Sequence, residues 1–164
     1  MFGLPRPTPV ATVGIQSATG SSFAITLASL YEVASGAVRD TNGDGLADSV
    51  AARVIVPADP TIEDIQAAAN IGARLGFETT ALTLPVVVKA TDVQAGAKIV
   101  FPILVGRGNA FINKLQEQGA LDTKDLKPGQ ALVTVVDAPL GGSPGIAIVG
   151  GDDAGTLNLS LIHI

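Results

Sequence analysis

Residues 49–77 read SVAARVIVPADPTIEDIQAAANIGARLGF, and our prediction of the architecture starts from the strand-to-helix transition inside them. The first eight residues are rich in valine, and Val50, Val54 and Val56 are spaced by even numbers, as on one face of a strand. Prolines then interrupt the pattern, and Thr61 with Asp64 three residues later resembles a capping box. These residues therefore predict a strand followed directly by a helix.

The predicted helix has one face of small and aliphatic side chains. Polar side chains occupy the opposite face, and Gly76 stands where a helix commonly ends. The inward positions that this pattern predicts are Ile62, Ile65, Ala68, Ala69, Gly72 and Leu75. Small residues on this face would let the helix lie close to a sheet.

The remaining chain continues the alternation of strands and helices. Further strands are predicted over 23–38, 80–88, 98–105, 131–136 and 145–149, with a short helix after Asn109 and another beginning at Asp152. Pairs of strands separated by single helices favour an α+β fold. We predict a mixed, largely antiparallel sheet with helices packed on one face, in a split βαβ-like layout truncated at the C-terminus.

The two ends of the chain differ from its middle. Residues 1–22 are rich in Pro, Gly, Ser and Thr and predict a linker or lead-in, so the single domain is expected over 23–158. The last six residues, LSLIHI at 159–164, resemble a translated sequencing adapter, and we interpret them as non-native. His163, the single histidine, falls among them and is therefore not considered as a base or ligand. We expect the chain to be a fragment of a longer protein.

Composition excludes several classes of function. Aromatic residues make up 4% of the chain, tryptophan is absent and the formal net charge is −5, which argues against binding nucleic acid. Hydrophobic residues make up 47% but occur in runs too short to span a bilayer. The chain has no cysteine, so disulfides and thiol chemistry are excluded. The first residues do not have the pattern of a signal peptide.

The clearest candidate site is the segment DTNGDGLAD at residues 40–48, which we call the acidic loop. Its pattern suits Ca²⁺, which prefers oxygen ligands. Oxygen-bearing side chains stand at loop positions 1, 3, 5 and 9, a glycine stands at position 6, and a backbone carbonyl falls at position 7. The predicted ligands are Asp40, Asn42, Asp44, the Leu46 carbonyl and Asp48. Ala51 stands where an EF-hand has its bidentate glutamate, and the loop instead resembles those of thrombospondin type 3 repeats. The alternative is a metal-free hairpin loop, because Asn-Gly and Asp-Gly favour turns.

Two glycine-containing turns between strands and helices are weaker candidates. VGRGN at residues 105–109 could cradle an anion at a helix N-terminus, but it lacks a P-loop lysine, and we interpret it as a turn. In GGDDAG at 150–155, Asp152 and Asp153 are placed to cap a helix. Acid and base catalysis by these two carboxylates is the alternative, although such pairs normally flank a cleft. We predict no catalytic residue.

Several segments resemble a known kind of domain. These are IEDIQAAANIGARLGF, ILVGRGNAFINKL and GIAIVGGDDAGTLN, within residues 52–158. They are similar to the N-terminal domain that precedes the catalytic barrel of β-N-acetylhexosaminidases and α-glucuronidases, and to modules of cell-envelope proteins of the cellulose synthase regulatory subunit type. In those families the domain is non-catalytic, so the resemblance transfers no site residue.

The expected function is that of an accessory or binding module in an exported bacterial multidomain protein, related to carbohydrate or the cell envelope and stabilised by one Ca²⁺. Its expected partners are the remainder of the polypeptide and carbohydrate. A hydrolase fragment whose catalytic part is missing and a structural cell-surface domain are the alternatives. Export and calcium are linked, because extracellular calcium modules bind at roughly 10⁻⁴ to 10⁻³ M and would be empty in the cytoplasm.

Overall fold

The computed structural model describes residues 26–94 and 97–162, and it has an α+β fold. Its strands are β1 (Val38–Arg39), β2 (Ser49–Val50), β3 (Ala52–Val56), β4 (Val87–Lys89), β5 (Phe101–Val105), β6 (Ala131–Val136) and β7 (Gly145–Gly150). Its helices are α1 (Ile62–Phe77), α2 (Ala110–Glu117) and α3 (Asp153–Ile162). Short 3-10 turns lie at Leu27–Ser29 and Ala90–Asp92. None of the described helices is long and apolar enough to cross a membrane.

The main sheet is mixed, as predicted, but its strands are mostly parallel. Its order is β4-β3-β5-β7-β6, and only β6 runs antiparallel to its neighbour. The prediction of a largely antiparallel sheet is therefore wrong for the described residues. Consecutive strands β4 and β5 do not pair with each other but lie on opposite sides of β3, which explains the error. Strands β1 and β2 form a separate antiparallel hairpin around the acidic loop. The single strand predicted over 49–56 is divided between β2 in this hairpin and β3 in the main sheet.

Helices cover both faces of the sheet, so the prediction of helices on one face is also wrong. Helices α1 and α3 pack on the face that carries Val54, Ile103 and Ile148. Helix α2 packs on the other face through Ile112 and Leu115, which lie with Ile55 and Leu104. Alternate residues of the central strands thus enter two separate cores. Every side chain of β5 is buried, as expected for a central parallel strand.

Helix α1 confirms the predicted capping box, and it confirms the predicted inward face in part, since Ala68 and Leu75 are buried. The Thr61 side chain accepts from the Asp64 amide, and the Asp64 carboxylate accepts from the Thr61 amide. The helix buries Asp64, Ala67, Ala68, Ile71 and Leu75. Ile62 and Ile65, predicted to point inward, are 61% and 49% exposed. The buried face is rotated by about one residue relative to the prediction.

Other predicted boundaries shift in the structure. Of the predicted strand over 23–38, the described part begins at residue 26 and is a strand only at its end, in β1 (Val38–Arg39). The predicted strand over 80–88 is shortened to Val87–Lys89. Residues 1–22 lie outside the described residues, as does His163. Helix α3 continues through Ile162, with Leu159 fully buried beside α1 and β3. The non-native origin of residues 159–164 stays a prediction, since packing does not bear on it.

Candidate functional site

The parallel strands bring three strand-to-helix turns to one edge of the sheet. Each of β3, β5 and β7 is followed by a helix, and the three carboxyl ends lie side by side. The chain leaves β3 and β7 toward one face and leaves β5 toward the other. Crevices form at this edge where neighbouring strands send their connections to opposite faces, and they are the usual ligand sites of open α/β sheets.

Asn109 fills the crevice between β3 and β5. Its side chain is fully buried, and its Nδ2 donates to the carbonyl oxygens of Ile55, at 2.8 Å, and Val105, at 3.2 Å. Its Oδ1 accepts from the Phe111 amide at 3.1 Å and so caps α2. Asn109 therefore ties two strands and a helix together, and its role is structural. The sequence indicated only a turn here.

The crevice between β5 and β7 opens into a cleft of about 540 Å³, which we call the polar cleft. It is lined by Arg107, Gly108, Asn113, Gln116, Thr123, Lys124, Leu126, Val149, Gly150 and Gly151. Two of these side chains are cations and none is acidic. The segment interpreted from sequence as a plain turn, 105–109, thus places Arg107 on the wall of a cavity.

Asp152 is engaged in capping, as predicted. Its Oδ1 accepts from the amide of Gly155, at 2.7 Å, and from that of Gly129, at 2.9 Å. These amides, Gly129 foremost, lower the pKa of the Asp152 carboxyl, and the nearby charge of Arg107 lowers it further. A carboxyl with a lowered pKa that is held by two amides is a poor proton donor. The geometry therefore favours capping over acid catalysis for Asp152.

Asp64 has a buried carboxylate that is only partly satisfied. Its side chain is 2% exposed, and its Oδ2 accepts from the Thr61 amide at 3.2 Å. Its Oδ1 has no hydrogen-bond partner in the described part of the chain. Burial raises the pKa of Asp64, and the nearby charge of Asp153 adds to that effect. The capping box was evident in the sequence, but the burial was not, because it depends on how α1 approaches Gly106.

We expect Asp64 to lower the stability of the folded protein as the pH rises. A carboxyl whose pKa is higher in the folded protein than in the unfolded chain, where it is about 3.9, destabilises the fold once it ionises. The stability of the natural chain relative to Asp64→Asn should therefore fall as the pH rises from about 4 through the folded pKa. Urea unfolding of both proteins across this range measures the difference. The exposed Asp59→Asn variant is the control, and an equal trend in it would contradict the assignment.

The acidic loop has the backbone arrangement that its sequence predicts. Asp40 accepts from the amides of Gly43 and Gly45, at 2.6 and 2.8 Å, through different carboxylate oxygens. Both glycines have positive φ angles, 80° and 87°, which side chains rarely adopt. The Gly45 amide is the main cause of the lowered pKa of Asp40. The carboxylate is thus favoured in its ionised form.

The other predicted ligands lie in the same loop but are directed partly toward each other. Asn42 donates through Nδ2 to an oxygen of Asp44 at 3.1 Å, and both oxygens of Asp48 lie 2.9 Å from the Thr41 hydroxyl. Among residues 26–94 and 97–162, no three or more His, Cys, Asp or Glu side chains are grouped closely enough to hold a metal. The all-oxygen donor set nevertheless fits a hard divalent cation. Asp48 would exchange its contacts with Thr41 for the metal.

Comparison of the chain with models of known protein families and with curated proteins finds no match. The resemblance to the accessory domains of carbohydrate-active proteins therefore stays a prediction.

Proposed function

We propose that this chain is a non-catalytic accessory or binding module of an exported bacterial multidomain protein, and that the acidic loop holds one structural Ca²⁺. The observation that carries the proposal is the arrangement around Asp40. Two glycine amides hold this carboxylate in an exposed loop and favour its charged form. A cation site needs such a fixed, ionised oxygen ligand at the start of the loop.

The acidic loop is where an ion would contribute most to this fold. It joins β1 to β2, whose hairpin consists of only two paired residues on each strand. Bound Ca²⁺ would offset the charges of Asp40, Asp44 and Asp48 and link the two ends of the loop. Asn42 and the Leu46 carbonyl complete the proposed ligand set. The ion's role is thus to stabilise a hairpin with few hydrogen bonds of its own.

The relation to carbohydrate or the cell envelope rests on the resemblance of residues 52–158 and on the linkage between calcium and export. A loop that binds at roughly 10⁻⁴ to 10⁻³ M fills only where free calcium is millimolar, as outside the cell. The remainder of the polypeptide and carbohydrate are the proposed partners.

We expect calcium to raise the melting temperature of the chain. At a few millimolar Ca²⁺, an affinity in that range stabilises the folded state by about 1–2 kcal/mol, or roughly 3–8 °C. Asp40→Ala combined with Asp44→Ala should abolish the rise. Differential scanning calorimetry with calcium, with magnesium and without a divalent ion provides the measurement.

The matched control is Asp59→Ala combined with Asp137→Ala, which removes two exposed carboxylates elsewhere and should keep the full calcium response. A rise that survives in the loop variant would show that calcium binds at another place. No rise in the natural chain would reduce the acidic loop to a turn, and the proposal of an extracellular module would lose its main support.

A further inference from the structure

We propose that the polar cleft binds a small hydroxylated molecule through an oxyanion group, either a phosphate or a carboxylate, that contacts Arg107 and Lys124. The proposal concerns a different site from the acidic loop and goes beyond the proposed calcium-binding module. It holds whether or not calcium binds. Three features of the cleft support it: its charge, its polar wall and its place in the sheet.

The charge of the cleft is opposite to that of the chain. The formal net charge is −5, yet two cations and no acidic side chain line this cavity. Among the described residues, the one ion pair joins Arg74 to Glu78. Neither Arg107 nor Lys124 therefore forms a salt bridge within that part of the chain. An arginine and a lysine that line one cavity attract an anion, and arginine can contact a phosphate or carboxylate through two parallel hydrogen bonds.

Arg107 is close enough to Asp152 for its charge to help lower the pKa of that carboxyl. Its Oδ1 is already held by the amides of Gly129 and Gly155. In the described part of the chain, no salt bridge joins Asp152 to Arg107. The guanidinium remains able to bind a ligand.

The rest of the wall suits hydroxyl groups. Gln116 donates through Nε2 to the Thr123 hydroxyl oxygen at 2.6 Å, which leaves the Thr123 proton and the Gln116 carbonyl oxygen for other partners. Asn113 adds an exposed amide beside them on α2. A volume of about 540 Å³ lies within the usual range for small-molecule sites. The cleft can therefore accommodate a molecule about the size of a sugar phosphate or a uronic acid.

The position of the cleft agrees with this interpretation. It lies at the carboxyl edge of the parallel strands, where the connections after β5 and β7 diverge. The corresponding crevice between β3 and β5 is filled by Asn109, whereas this one is open. The cations that line this open crevice indicate the chemistry of its occupant.

The test is isothermal titration calorimetry of the full chain in calcium-free buffer with inorganic phosphate, glucose 6-phosphate, glucuronate and glucose. We expect the anions to bind and glucose not to. Arg107→Gln combined with Lys124→Gln should weaken binding of the anions by about tenfold to a hundredfold, because two charge-assisted contacts are lost. Lys89→Gln combined with Lys98→Gln, which changes the net charge equally, should have no effect. The ratio of glucose 6-phosphate to glucuronate affinity identifies the preferred oxyanion.

A second variant tests the cleft in case the double variant fails to fold. Asn113→Asp adds a carboxylate to the exposed side of α2 and should also weaken anion binding while the melting temperature is retained. Equal weakening by the Lys89 and Lys98 control would overturn the proposal, because it would show attraction by net charge alone. Binding of glucose as tight as that of glucose 6-phosphate, or no binding of any anion, would overturn it as well.

Discussion

Replacing Asn109 by alanine is expected to lower the free energy of unfolding by about 2–4 kcal/mol. The substitution removes a helix cap, which contributes about 1 kcal/mol, and two buried hydrogen bonds of about 1 kcal/mol each. Those bonds run from the Asn109 side chain to the carbonyls of Ile55 and Val105 and connect β3 to the turn after β5. Urea unfolding monitored by circular dichroism measures the change.

Two further variants make this prediction specific. Asn113→Ala removes an exposed amide from the same helix and should change stability by no more than about 0.5 kcal/mol. Asn109→Asp keeps an oxygen that can cap α2 but places a carboxylate beside the two carbonyl oxygens, so it should be at least as destabilising as alanine at neutral pH and less so in acid. An Asn109→Ala variant as stable as Asn113→Ala would show that the buried amide does not hold the strands together.

The sequence was sufficient to predict where most elements lie, because their local signals are strong. Strands β6 and β7, helix α2 with Asn109 before it and the capping box of α1 agree with the predictions to within a residue or two. These features depend on residues close together in the chain. Local patterns of apolar spacing and capping determine them.

The direction of the strands was predicted wrongly, although one signal for it was present. The segment KIVFPILV is apolar without alternation, which is typical of a strand buried on both faces in a parallel sheet. Two successive strands without a helix between them suggested a hairpin, but β4 and β5 lie on opposite sides of β3, so the chain crosses β3 between them. That crossing depends on contacts between distant residues. No local pattern encodes it.

The candidate sites also differ in whether local sequence or distant contacts determine them. The acidic loop could be found from sequence because its residues are consecutive. The polar cleft could not be found from sequence, since Arg107 and Lys124 are separated by a helix and a loop and line the same cavity only in the folded chain. Asp64 was recognised as a capping residue, but its burial follows from the rotation of α1 about its axis, which the alanine-rich face does not determine.

Gly106→Ala is expected to destabilise the fold by about 2–4 kcal/mol, and part of this cost should depend on Asp64. Gly106 has a φ angle of 90°, where a side chain is strained by roughly 1–2 kcal/mol. A Cβ added there would lie 2.3 Å from Oδ1 of the buried Asp64. The carboxylate would have to move, and its bond to the Thr61 amide in the capping box would be disturbed.

Gly119→Ala separates the two causes, because Gly119 also has a positive φ, 70°, but its added Cβ would have no atom within 4 Å. It should cost about 1 kcal/mol, less than Gly106→Ala. A double-mutant cycle with Asp64→Ala should recover part of the Gly106→Ala loss, since the smaller side chain makes room for the new methyl group. Equal costs at the two glycines, with no coupling to Asp64, would mean that backbone strain alone requires glycine after β5. Coupling would show that the start of α1 and the turn that carries Arg107 are packed as one unit.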